Sequence, residues 1–200
     1  GECPQGPYFS MEFVDGETLS RRVKREGTFE PHEAARIVRQ AAEANPNIVA
    51  VLVEVLQGEG GINVASAEYM RALRRLCDEK QWLLMIDEVQ SGIGRTGKWF
   101  GFQHAGIRPD VITLAKGLGS GVPIGACVAA GRAQGVFKPG SHGSTFGGGP
   151  LACAAGLATL AAMADEKLLE NAARMGELIR SGFRDALAGV AGVTEIRGMG

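Results

Sequence analysis

Two residues of opposite charge, Asp87 and Lys116, each follow an apolar run, and they stand 29 positions apart. Asp87 comes directly after Trp82–Ile86 (WLLMI), and Lys116 follows Val111–Leu114 (VITL) with one alanine between. A separation of about 30 residues is one strand–crossover–strand unit. Both can therefore sit at the carboxyl ends of strands, where open α/β sheets bind ligands, and face one cavity. A lysine bracketed by small residues after a buried strand is shielded from bulk water, which disfavours the ammonium and frees the amine to attack a carbonyl. That is Schiff-base chemistry. Further polar groups stand at strand ends: Glu54 and the turn Gln57-Gly58-Glu59-Gly60-Gly61 after Ile48–Val53, and Glu88 and Gln90 after Asp87.

A pyridoxal phosphate site needs a lysine for the aldehyde, a carboxylate that keeps the ring nitrogen protonated, and donors for the phosphate. Lys116 and Asp87 suit the first two roles. The stretch 140–149 (GSHGSTFGGG) includes Ser144 and Thr145, is rich in backbone N–H groups, and runs into a helix start, which suits the third. Taken singly, each residue has a plainer reading: Asp87 as a turn or cap residue, Lys116-Gly117 as a helix end, Glu54 and Glu59 as loop carboxylates. The combination is what points to a site. Arg95, Lys98 and Arg108 read as surface or loop cations.

The elements that must position these groups are legible from hydrophobic period. Ile48–Val53, Trp82–Ile86, Val111–Leu114 and Ala126–Ala130 lack alternation and suit strands buried on both faces of a parallel sheet. Ser66 can cap a helix with Tyr69, Met70, Leu73, Leu76 and Cys77 on one face. Gly149-Pro150 opens a helix to about Ala164, and Leu168, Ala172, Met175, Ile179 and Phe183 mark another. Upstream, Tyr8–Val14 reads as a strand, Thr18–Glu26 as a polar helix, and the segment from Pro31 through Ala41 as a second helix. Strands alternating with helices predict an α/β fold, a mostly parallel sheet with flanking helices, preceded by a short strand–helix–helix segment. Of 30 glycines, only 4 fall in residues 1–45, which places a composition boundary near 43–46. The last residues, VTEIRGMG, read as the start of a strand with nothing to close it, which suggests a fragment.

Composition removes several classes. With 21 Lys+Arg against 22 Asp+Glu and a net charge of -1, the chain has no basic footprint for nucleic acid. No apolar run approaches the roughly 18–20 residues that span a bilayer, and the N-terminal residues carry no secretory pattern, so the cytoplasm is expected. The four cysteines read as reduced, mostly buried thiols, and the three scattered histidines as structural, so no metal site is expected. Gly92–Lys98 (GIGRTGK) imitates a nucleotide phosphate loop, but Trp99 stands where a magnesium-holding hydroxyl is required.

The runs LVEVLQGEGGINVAS, LLMIDEVQSGIGRTGKWFGFQHAGIRPDVITLAKGLGSGVPIGA and GSHGSTFGGGPLACAAGLATL resemble class III pyridoxal-phosphate aminotransferases, above all the acetylornithine/ornithine branch, over residues 44–200. The resemblance implies part of a fold-type I large domain in which Lys116 joins the cofactor covalently, Asp87 pairs with the pyridine nitrogen and Gln90 reaches the ring oxygen. It also implies that Thr145, with Ser144 beside it, contacts the phosphate across a homodimer interface, and that Glu59 lies near the substrate. The implied reaction moves an amino group from acetylornithine or a related ω-amine donor to 2-oxoglutarate, as in arginine biosynthesis. Val55 and Gly149 stand where the family usually has proline and asparagine. The family's upstream phosphate loop, ring-stacking aromatic and substrate arginine are not found in residues 1–43. That segment resembles instead the hinge and first C-lobe helices of a bacterial Ser/Thr protein kinase, with Glu12–Val14 as hinge and no phosphoryl-transfer machinery. The competing reading is a non-catalytic fragment or fusion that keeps the core fold and a dimer surface with a vestigial kinase segment.

Overall fold

A computed structural model describes residues 2–3, 6–7, 31–43 and 47–200 of the chain. The expected strand at 8–14 and helix at 18–26 lie outside the described residues. Two short strands, β1 (Glu2–Cys3) and β2 (Gly6–Pro7), pair antiparallel, and α1 spans Pro31–Glu43, where the sequence places a helix.

The main sheet has the order β3–β6–β7–β8, with β3 at Ala50–Glu54, β6 at Leu83–Asp87, β7 at Val111–Leu114 and β8 at Ala126–Ala129. The β3–β6 and β6–β7 pairs are parallel, as expected. Between β3 and β6 lie a small hairpin, β4 (Leu56–Gln57) with β5 (Asn63–Val64), and the crossover helix α2 (Ala67–Glu79). Helix α2 starts where Ser66 Oγ accepts the Tyr69 N–H at 3.1 Å, which satisfies one of the donors a helix N-terminus leaves free. Its buried face, Met70, Leu73, Leu76 and Cys77, meets Leu84, Ile86, Ile112 and Leu114 in the core. Burial pushes the Cys77 thiol up to about 11, so it stays a neutral packing group.

Four expectations need correction. Strand β8 runs antiparallel to β7, because the connection 115–125 is too short for the crossover that a parallel return needs. Among the described residues one face of the sheet is only partly covered: on the edge strands Leu52 (62% exposed) and Cys127 meet solvent, while Val111 on the same face is buried. Cys153 is exposed too, so burial of the thiols holds for Cys77 but not for these two. Residues 193–200 form no strand among the described residues; Arg197 instead donates to the Gly61 carbonyl at 3.0 Å.

Helices α3 (Pro150–Asp165) and α4 (Leu168–Ala186) follow, α3 packing on the turn after β7. Among the described residues no helix is long and apolar enough to cross a membrane.

Asp110 pins the start of β7 to β6. Its Oδ2 accepts from the Leu84 N–H and from Arg74 Nη1, both at 2.8 Å, and Arg132 Nη2 lies 3.5 Å away. Burial works to raise this carboxyl, but the Leu84 amide and then Arg74 outweigh it, and the group ends below its ordinary value. A carboxyl lowered on folding stabilises the fold fully above its unfolded value of about 4 and loses that contribution as pH falls through the lowered value. Asp110→Asn is expected to cost about 3 kcal/mol, because Arg74 keeps its charge and loses a partner. Thermal unfolding checks the loss, and the same variant should show a flatter acid limb of stability against pH; an acid limb identical to the parent would assign that limb to other carboxylates.

Candidate active site

Parallel register lines up three chemistry-bearing strand ends. Glu54 pairs with Asp87, and Asp87 with Thr113, so their side chains form a row on one face of the sheet at its carboxyl edge. Neighbouring strands lie about 4.8 Å apart, which puts the Asp87 backbone next to the strand that delivers Lys116 three residues later. The Thr113 hydroxyl in this row is buried and has no hydrogen-bond partner. Such a group is costly to bury unless something else bonds it.

Lys116 opens a tight turn, Lys116–Gly119, that begins immediately past β7. Its φ of +42° is in the left-handed region, as is that of Ser120 at +48°. A side chain there costs about 1–2 kcal/mol, a strain that concentrates at functional sites. The turn is backed by α3, where a Cβ on Gly156 would be in ordinary contact, 3.6 Å, with the Leu118 carbonyl oxygen. The lysine was expected to be shielded from water. Its side chain is in fact exposed, because the described elements leave the cavity in front of it open.

That cavity, about 510 Å³, is lined by Lys116, Gln90, Ser91, Ile93, Ile179 and Phe183 among others. Asp87 does not line it; its Oδ1 accepts the Val89 N–H at 2.9 Å. Gln90 reaches the hairpin β4–β5, where its amide occupies the space a side chain at residue 58 would need: a Cβ on Gly58 would lie 1.6 Å from Gln90 Oε1. Glu59 is in the same turn and is exposed. Ser144 and Thr145 lie in an exposed irregular stretch and are not part of the cavity lining. The structure thus brings Lys116 and Gln90 to one cavity; Asp87 ends the strand beside the one that leads to Lys116 but does not line that cavity, Glu59 stands at the hairpin that touches Gln90, and the two hydroxyls stand apart.

The sequence marks Glu88 as a polar group at a strand end but assigns it no role. It is 1% exposed and accepts from Ser91 Oγ at 2.6 Å, Gly101 N at 3.0 Å and Phe102 N at 2.9 Å. Two of those donors are backbone groups, which leave no trace in residue type. The nucleotide-loop imitation is resolved as packing. Gly94 (φ +78°) and Gly97 (φ +84°) let the loop press against α3 and α4, where a Cβ would fall 2.3 Å from Met163 Cε and 2.8 Å from Ala173 Cβ. Among the described residues no group of three or more His, Cys, Asp or Glu could hold a metal.

The chain is 61% identical over 170 residues to "Acetylornithine aminotransferase 1" of Bordetella bronchiseptica, covering 85% of this chain and 43% of that protein. It is 54% identical over 170 residues to the acetylornithine aminotransferase of Nitrosomonas europaea, with the same coverage. The chain therefore spans less than half the length of these curated relatives. Among solved structures, the ornithine aminotransferase of Toxoplasma gondii, described with partial occupancy of PLP at its active site, matches with a TM-score of 0.76 and 44% identity over 80% of this chain and 38% of its own. The fold is that of the fold-type I aminotransferases, whose cofactor is pyridoxal phosphate. The model of the family "Aminotransferase class-III" matches residues 14–200 and so runs through the boundary expected near residue 43. The likeness of residues 1–43 to a protein kinase is not borne out. With the family match covering nearly the whole length, the chain belongs to the class III aminotransferases.

Proposed function

We propose that this chain carries the cofactor-facing core of a transaminase that moves an amino group from acetylornithine, or a related ω-amine donor, to 2-oxoglutarate. The observation that carries the reading is the placement of Lys116 and Asp87 at the carboxyl ends of adjacent parallel strands. The acetylornithine aminotransferases at 54–61% identity support the substrate class. The same similarity disfavours the non-catalytic alternative. We place the enzyme in the cytoplasm as a homodimer acting on small molecules, with neither nucleic acid nor membrane as partner; the balanced charge supports the last point.

The residues present fit pyridoxal phosphate at its ring end: an amine over an open cavity, a carboxylate one strand away, and an unpartnered buried hydroxyl between. When bound, the cofactor supplies an electron sink for charge that develops at the carbon bearing the amine. Lys116 Nζ would hold the cofactor through its aldehyde and, once the incoming donor amine had displaced it, would be free to carry a proton between two carbons as general base and acid. Asp87 holds a proton on the ring nitrogen by placing negative charge beside it. Gln90 orients the ring through its amide, and the turn with Glu59 faces the substrate. Thr145 and Ser144 hold the phosphate from the exposed stretch, which suits contact across a dimer interface better than contact within one chain.

Three outcomes test this. Borohydride reduction with cofactor present should fix the label on Lys116 by peptide mapping, and none should appear in Lys116→Ala; a label on Lys98 or Lys138 would overturn the assignment. In a full-length enzyme carrying this segment, Asp87→Asn should retain cofactor but slow the amino-donor half-reaction on the order of 10²-fold, measured in single turnovers. Gly58→Ala should leave global stability within about 1 kcal/mol, since only a flexible side-chain end must move, yet displace Gln90 and weaken cofactor retention. Unaltered retention in a variant whose crystal structure shows Gln90 displaced would remove Gln90 from the site.

A further inference from the structure

Glu88 is the most deeply buried carboxylate among the described residues, and it forms no salt bridge. A buried carboxyl group is tolerated only when its oxygens are hydrogen-bonded, and here three donors reach them. Its backbone is equally engaged. The Glu88 N–H donates to the Thr113 carbonyl at 3.0 Å, which fastens the end of β6 to β7, and its carbonyl accepts the Gly92 N–H at 2.9 Å, which closes the turn holding Gln90. The surroundings require glycine at residue 92 and fit tightly at residue 101. A Cβ on Gly92 would lie 2.7 Å from the Glu88 carbonyl oxygen, and one on Gly101 would lie 3.3 Å from Oε2. Glu88 therefore ties the short segment 87–92 to β7 on one side and to residues 101–102 on the other.

We propose that Glu88 is a positioning residue: its buried carboxylate fixes the orientation of the 87–92 turn, and through it the angle at which the Asp87 carboxylate and the Gln90 amide are presented. The proposal rests on the roles given above to Asp87 and Gln90. The link to Asp87 is short and explicit. Asp87 Oδ1 is held by the Val89 N–H, and Val89 lies between Glu88 and Gln90, so rotation of the Glu88 peptide moves the donor that aims Asp87. Positioning of this kind matters because a catalytic group must be held to within about 0.5 Å of its working geometry.

Glu88→Gln tests the idea with little change of volume. An amide has one acceptor oxygen, and its NH₂ must face either the Phe102 N–H or the Gly101 N–H. At least one backbone donor is then left unpaired, whichever way the amide turns. In the chain without cofactor, amide hydrogen exchange should speed up at Val89 and Gly92 by about tenfold or more, while Leu84, held by Asp110, is unaffected. Ser91→Ala, which removes one donor and leaves the carboxylate, should give a smaller rise at the same two amides and serves if Glu88→Gln does not fold. Unchanged exchange at Val89 in whichever variants fold would overturn the proposal. With cofactor bound, Glu88→Gln should also move the pH at which the visible cofactor band titrates, whereas Asp110→Asn, which destabilises elsewhere, should not. A band that moves in Asp87→Asn but not in Glu88→Gln would sink the positioning role. One that moves in neither, with Val89 exchange still responding to Glu88→Gln, would sink the reading of Asp87 instead.

Discussion

The parallel pairing of β6 with β7 is the constraint on which the site depends. It fixes Asp87 opposite Thr113, and everything placed afterwards, from the turn at Lys116 to the cavity beyond it, inherits its position from that register. A slip of one residue would turn Asp87 into the core and send Ile86 to the face that carries the row Glu54–Asp87–Thr113. Register is secured from both ends of the pair. Near its start Asp110 accepts the Leu84 amide, and at its end the Glu88 amide donates to Thr113, so the strands are clamped just where they enter and leave the sheet.

What the sequence reveals follows from what leaves a mark in residue type. Helix α2 is legible because Ser66 and the spacing of Met70, Leu73, Leu76 and Cys77 are local signals, and the structure repeats them closely. Asp87 and Lys116 are legible because an apolar run ends at a strand's carboxyl edge. The antiparallel return of β8 was available in the length of 115–125 and was missed because apolar content alone says nothing about direction. The burial of Glu88 could not be read this way. A buried carboxylate filled by backbone amides 13 and 14 residues on is identical, in sequence, to a solvated one. Exposure of Lys116 was equally hidden, since shielding depends on elements that pack from a distance.

Large apolar groups meet solvent on both α3 and the edge strand β3. Leu157, 71% exposed on α3, and Phe146, 91% exposed before it, are large apolar groups facing water, as is Leu52 on β3. The composition of α3 is apolar nearly all round, the pattern of a helix meant to be buried.

The left-handed backbone at Lys116 sets two selective pressures against each other. Glycine, or asparagine, is at ease with a φ of +42°, whereas lysine is not. A population of variants screened only for a folded, heat-resistant chain would drift away from lysine at this position, because relief of backbone strain is a direct gain to the native state. Screening for chemistry would hold it in place. Residue 116 is thus a point at which the most durable version of this protein and the most useful one are different molecules.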